Sequence, residues 1–225
     1  MTISAPIDRG SQARGINVYS PQQDSHLLVD TMQTSIEVAE RTVLDLCTGS
    51  GVVAIAAARA GARSVTAWDV SPDAVRCSTA NASAAGVNVD VRRGSWTGAR
   101  GRYDVVLANP PYVPADPDSA ESDDGPTWAW DAGPDGRLVV GPLCEAAEGL
   151  LAPGGTLLMV QSEFTGIDQS LTALECAGLG ARVVARRRIP FGPVLTARAG
   201  WLERTARLAP GRREEEIVVI RADKP

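Results

Sequence analysis

The sequence predicts an α/β fold in which a mostly parallel sheet carries helices on both faces. Three observations predict it. Apolar runs of strand length alternate with helical segments along most of the chain. A small-residue turn, Gly49-Ser50-Gly51, joins one such run to an Ala-rich segment, and acidic or amide residues recur at the ends of successive runs. In a sheet of this kind ligands bind beyond the carboxyl ends of the strands, so residues at those ends share one crevice.

A helix from about Ser25 carries Leu27, Leu28, Met32 and Ile36 at helical spacing. Strands are expected at 42–47, 64–69, 88–92, 103–108 and 155–162. The helix after the second strand opens at Ser71-Pro72-Asp73, a capping hydroxyl followed by proline in the first turn. Another helix covers about 138–151 and stops before Pro153-Gly154-Gly155. Two more extended runs follow at 181–188 and 216–222. The segment from Ala115 to Gly136 is acidic, contains Trp128 and Trp130, and is too long for a plain connector. It reads as a lid or substrate loop, with an unstructured acidic insertion as the alternative.

No repeat or linker divides the 225 residues, which are 44% hydrophobic and 22% charged. We expect one domain over 1–225, with an N-terminal segment and helix to residue 40 and an α/β core from 41. The net charge of −5 disfavours duplex nucleic acid as partner, because such binding needs a positive footprint. The Arg-rich run Arg182–Arg188 reads as one exposed face of a late strand. Four scattered cysteines and a single histidine, His26, give no metal-ligand spacing, so no metal is expected. Cys144 and Cys176 lie among apolar residues and read as buried free thiols. The start lacks a basic segment followed by an apolar one, and no apolar run reaches 18 residues. A cytoplasmic protein without a membrane partner is the expectation.

Two segments carry chemistry. In Val43-Leu44-Asp45-Leu46-Cys47-Thr48-Gly49-Ser50-Gly51, the glycines let backbone approach a ligand at a helix N-terminus. Asp69, closing Val65-Thr66-Ala67-Trp68, is placed to accept both hydroxyls of a ribose. The glycine turn also fits the dinucleotide pattern G-x-G-x-x-A. However, Asp45 would crowd a pyrophosphate, whereas it suits an ammonium group. The second segment is Asn109-Pro110-Pro111-Tyr112, just past Val105-Val106-Leu107-Ala108. The Asn amide oxygen and the Pro110 carbonyl can accept the two N–H bonds of a planar nitrogen, while Tyr112 offers a face for stacking. An ordinary Pro-rich turn is the bland alternative.

Asp-x-Cys-x-Gly-x-Gly, then Asp69, then Asn-Pro-Pro-Tyr resembles the class I S-adenosylmethionine-dependent methyltransferases. The closest resemblance is to the release-factor glutamine N5-methyltransferases, the HemK/PrmC-like family. Tyr19-Ser20-Pro21-Gln22-Gln23-Asp24-Ser25 is similar to that family's Tyr-x-Pro-x-x-Asp-Thr segment, and Trp130–Arg137 to its Gly-rich loop. The resemblance implies a Rossmann-like fold with a seventh strand inserted antiparallel between the fifth and sixth, which the last two extended runs fit. It implies S-adenosyl-L-methionine as cofactor, held by Tyr19, Pro21, Ser25, Asp45, Cys47, Gly49, Gly51, Asp69, Val70, Ser95, Trp96 and Asn109. Asn109, Pro110 and Tyr112 would grip the methyl acceptor. Ser95 stands where many methyltransferases place an acid. Only 44 residues precede Asp45, too few for the helical recognition domain of the bacterial members plus the segment at Tyr19.

The expected reaction is an N-methylation in which the grip aims a poorly nucleophilic lone pair at the methyl carbon. A protein substrate, with a translation termination factor as the leading candidate, comes first. Small-molecule methylation, methylation of an exocyclic adenine amine, and a cofactor-binding regulator without turnover are the alternatives. His26 reads as structural and Asp24 as a helix cap, while Gln22 and Gln23 fit either a turn or a cofactor contact.

Overall fold

The computed structural model describes residue 18 and residues 20–116 and 132–225. Tyr19, Trp128 and Trp130 lie outside the described residues, as does most of the expected lid. The element order is α1 (Gln23–Ser35), β1 (Thr42–Leu46), α2 (Val52–Arg59), β2 (Ser64–Asp69), α3 (Pro72–Ala84), β3 (Asp90–Arg93) and β4 (Tyr103–Ala108). It continues with α4 (Val140–Leu150), β5 (Leu151–Ser162), α5 (Ile167–Cys176), β6 (Gly180–Pro190), α6 (Pro193–Arg204) and β7 (Glu214–Asp223).

The seven strands form one sheet in the order β3-β2-β1-β4-β5-β7-β6. Pairings from β3 through β5 are parallel, and β7 lies antiparallel between β5 and β6. Because side chains alternate along a strand, each strand feeds two cores. Leu44, Leu46, Val106, Leu157 and Met159 pack on one face against Leu143, Cys144 and Ala147 of α4 and Leu174 of α5. Val43, Val65, Val105, Leu158 and Val160 pack on the other against Leu28 and Met32 of α1 and Ala54 and Ala57 of α2. A smaller cluster joins Leu195, Ala199 and Leu202 of α6 to Val113, Phe164 and Phe191.

Several expectations need correction. Two helices, α5 and α6, go beyond those read from the sequence, although Gly192-Pro193 is an ordinary N-terminal signal for the second. The fifth strand begins at Leu151, pairing with Tyr103, and takes Pro153-Gly154-Gly155 into an irregular stretch before regular pairing resumes at Thr156. A Cβ on Gly155 would sit 2.8 Å from the Ala152 carbonyl oxygen and 2.9 Å from that of Tyr103, so this irregularity requires glycine. Cys144 is buried, but Cys176, at the end of α5, is exposed. The Arg run does lie on a late strand, β6, but it does not form one face. Arg186 is level with Val218 and Arg187 with Ile217, on opposite faces of the sheet, and Arg182, Arg186 and Arg187 pair with Asp223, Glu216 and Asp30. Among the described residues no helix is long and apolar enough to cross a membrane, and no cluster suits a metal.

Candidate active site

The turn after β1 shapes the site. Cys47 and Gly49 both adopt left-handed backbone, with φ of 59° and 53°, which turns the chain sharply above the sheet. The Thr48 amide donates to the Trp68 carbonyl at 3.1 Å, and the Gly51 amide closes the turn onto the Thr48 carbonyl at 2.8 Å. Gly51, with φ of 85°, is the N-cap of α2. A Cβ there would meet the Ser78 Cβ of α3 at 2.9 Å, so the residue both turns the chain and lets two helices approach.

Asp69 ends β2 beside this turn. Its two carboxylate oxygens accept from the Gly49 amide and the Ser71 amide, each at 2.9 Å. Burial pushes its carboxyl above the usual range, opposed by these backbone bonds. Val70 follows with its side chain exposed, and Ser71 caps α3 by accepting from the Asp73 and Ala74 amides. Ser95 is exposed and caps the short turn Trp96–Gly98 by accepting from the Thr97 amide at 3.3 Å.

Asp45 is placed differently. It shares a sheet face with Val43, the face under α2, and is 1% exposed. Its carboxylate accepts from the Thr48 hydroxyl at 2.5 Å. Burial raises its pKa to about 7, opposed by that bond and by one from the Ala54 amide. Asp45 therefore braces the turn from below, and neither it nor Gly51 reaches the cavity wall. Burial likewise pushes the Cys47 thiol up, with Asp69 and Asp45 adding to the effect, so this cysteine is held as the unreactive thiol.

At the end of β4, Asn109 donates from Nδ2 to the Ser25 hydroxyl at 3.1 Å. Tyr112 is buried and donates its hydroxyl to Asp24 Oδ2 at 2.8 Å. The expectation that Asp24 caps α1 is corrected: Gln22 occupies the cap position, and Asp24 sits inside the first turn, facing Tyr112. Gln22 and Gln23 are exposed and His26 half-buried, and none of the three lines the cavity.

One cavity of about 410 Å³ brings these residues together. Cys47, Gly49, Asp69 and Val70 line one side of it, with Ser95 and Trp96 beside them. Pro21, Ser25, Asn109, Pro110 and Tyr112 line it from the other elements. Sequence reasoning misses Asp24, Thr48 and the wall formed by Leu138, Val139 and Pro142 at the start of α4. Leu138 is 67% exposed, a feature visible only in three dimensions.

Residues 17–121 match the family model described as "Methyltransferase small domain". A putative protein N5-glutamine methyltransferase from Methanocaldococcus jannaschii is 31% identical over 183 residues, covering 81% of this chain and 91% of that one. The chain belongs to the HemK/PrmC-like methyltransferase family. The release factor glutamine methyltransferase of Streptomyces coelicolor is 32% identical over 68% of this chain, which spans only 57% of that protein's length. The methyltransferase fold is shared with a solved structure titled as the E. cuniculi Mtq2–Trm112 complex responsible for methylation of the eRF1 termination factor. That match has a TM-score of 0.63 and 22% identity, and covers 92% of this chain and 99% of that one. The methyltransferase therefore carries its glycine turn, Asp69 and Asn109 on the fold of its class, at the carboxyl ends of parallel strands.

Proposed function

We propose that this methyltransferase uses S-adenosyl-L-methionine to methylate a side-chain amide nitrogen of a protein glutamine, with a translation termination factor as the leading substrate. The observation that carries the reading is that Asn109 and Asp69, from different strands, open onto one cavity behind a glycine turn. The residues fit the cofactor. Asp69 keeps acceptor capacity beyond its two backbone bonds, as a ribose hydroxyl pair requires. Gly49 brings bare backbone to the wall, and exposed Val70 offers an apolar surface to a flat base in the same cavity as Ser95 and Trp96. Asp45, beneath the turn, is only partly ionised near neutral pH because of its burial, and an ammonium group bound above it would favour its charged form.

When bound, the cofactor supplies a methyl group already activated on a sulfonium centre. The protein's task is then to orient and desolvate the acceptor. An amide nitrogen is a weak nucleophile because its lone pair is delocalised into the carbonyl. Asn109 Oδ1 and the Pro110 carbonyl, accepting its two N–H bonds, would turn that lone pair toward the methyl group and stabilise developing positive charge. Tyr112, with its hydroxyl fixed on Asp24, presents its ring as a wall for the planar acceptor. Among the described residues, the acids that line the cavity, Asp24 and Asp69, are engaged by Ser25 and Tyr112 and by the Gly49 and Ser71 amides, and the proton leaves to water after transfer.

The test is methyl transfer from labelled cofactor to purified termination factor, to the same factor with the target Gln changed to Ala, to nucleic acid and to cell extract. Label on the factor that disappears with the Gln→Ala change is expected. Label on nucleic acid or on small molecules of the extract alone would replace the glutamine reading with one of those acceptors.

A further inference from the structure

We propose that Asp24 and Ser25, on the first turn of α1, are a positioning pair that fixes which end of the Asn109 amide faces the acceptor. The inference rests on the glutamine-methylation reading above. A carboxamide has an accepting end and a donating end, and the proposed grip works only if the oxygen faces the acceptor nitrogen. A rotation of the amide by half a turn would oppose N–H to N–H. Nothing in β4 itself chooses between the two, because the polypeptide leaves the strand at Asn109 into two prolines.

The choice comes from the other side of the molecule. Asn109 Nδ2 lies 3.1 Å from the Ser25 hydroxyl oxygen, 84 positions away in sequence. A hydroxyl alone would not settle the orientation, since it both donates and accepts. Asp24 settles it. Its Oδ1 takes the Ser25 backbone amide at 2.6 Å and the Ser25 hydroxyl at 3.3 Å, and since a backbone N–H can only donate, that oxygen is an acceptor. With the Ser25 proton committed to Asp24, the Ser25 oxygen has only lone pairs to offer Asn109. It therefore holds the NH₂ end and leaves Oδ1 for the acceptor. The second carboxylate oxygen takes the Tyr112 hydroxyl at 2.8 Å, so one acid orients both the amide and the ring. Asp24 and Ser25 are 2% and 4% exposed, which keeps water from competing for these bonds.

The experiment compares Asp24→Ala, Ser25→Ala and Ser25→Thr with the unmodified enzyme, using release factor as acceptor and S-adenosylhomocysteine for the spectra. Asp24→Ala removes the acceptor that commits the Ser25 proton, whereas Asp24→Asn would keep its amide oxygen on the Ser25 backbone N–H and leave the polarity intact. In Asp24→Ala and Ser25→Ala, kcat is expected to fall about 10- to 100-fold with cofactor Kd within about threefold, and the melting temperature of Ser25→Ala stays nearly unchanged. Ser25→Thr, which keeps the hydroxyl, restores most of kcat. The Asn109 side-chain amide signals in ¹⁵N spectra shift in Asp24→Ala and Ser25→Ala but hold in Ser25→Thr. The proposal is overturned if kcat and the Asn109 signals stay put in both disruptive variants, or if the whole loss appears in cofactor Kd. If the unmodified enzyme leaves the glutamine unmethylated while the Asn109 signals respond as stated, the glutamine reading falls and the positioning pair stands.

Discussion

The Gly49 amide donates to Asp69 Oδ2 at 2.9 Å, tying the turn after β1 to the end of β2. The same carboxylate orders the start of the next connection through Ser71. Asp69 thus holds the two backbone segments between which the proposed cofactor would lie, and contributes its remaining lone pairs to that ligand. Asp69→Ala should weaken S-adenosyl-L-methionine by roughly 1–3 kcal/mol, the cost of losing charge-assisted bonds to a hydroxyl pair. Titration calorimetry checks it. An unchanged affinity, or binding of NAD in place of the methyl donor, would remove Asp69 from the cofactor site.

Asn109 separates binding from chemistry, since its proposed contact is to the methyl acceptor. Asn109→Ala should keep cofactor affinity within a few-fold and cut turnover at least about a hundredfold, as loss of a transition-state contact does. Asn109→Asp should recover little. It keeps acceptor oxygens but adds a charge at a half-buried position and loses the N–H that now donates to Ser25. Steady-state rates set beside calorimetry decide the matter. Full turnover in Asn109→Ala would reduce the Asn-Pro-Pro-Tyr segment to a turn.

Much of this architecture is legible in sequence because strands and their ends are local signals. The runs ending at Leu46, Asp69 and Ala108 fall where apolar periodicity places them, and the antiparallel β7 follows from the family resemblance. What escapes a sequence reading depends on direction rather than on location. Asp45 does lie at a strand end, but its side chain points to the Val43 face beneath α2, and alternation along the strand carries that information. Asp24 resembles a cap because capping is local. Its partner Tyr112 lies 88 positions away and no spacing rule reaches it. Helix α5 carries Ile167, Leu171 and Leu174 at helical spacing, all packed on the α4 side of the sheet, but at ten residues it is a short signal between the longer runs at 155–162 and 181–188.

The glycine turn makes a prediction about stability that is independent of function. Gly51 combines a φ of 85° with the close approach of Ser78, whereas Gly49 has a φ of 53° and open space where a methyl group would go. Gly51→Ala should cost about 2–4 kcal/mol, a left-handed penalty plus overpacking against α3. Gly49→Ala should cost about 1 kcal/mol from backbone conformation alone. Urea unfolding with unchanged slope for both variants measures the difference. Equal losses would mean that α2 and α3 yield freely at their contact.

Glu215 gives the fold a pH dependence. It is 4% exposed near the start of β7 and bonded to the Ser162 hydroxyl at 2.5 Å. Burial raises its pKa from 4.5 to about 7, with the neighbouring charges of Asp24 and Glu163 adding to the rise and Ser162 and Arg212 opposing it. Between pH 4.5 and 7 the folded protein therefore holds a proton at Glu215 that the unfolded chain has released. Stability from this residue is fully present below about 4.5 and is lost as pH rises through about 7. Glu215→Gln keeps the shape and a hydrogen bond to Ser162 without the ionisation. It should match the parent protein near pH 4.5 and exceed it by on the order of 2 kcal/mol at pH 8. Denaturant unfolding of both proteins across pH 4.5–8 tests this. A stability difference that stays flat over that window would show that Glu215 remains ionised throughout, with Arg212 compensating its charge.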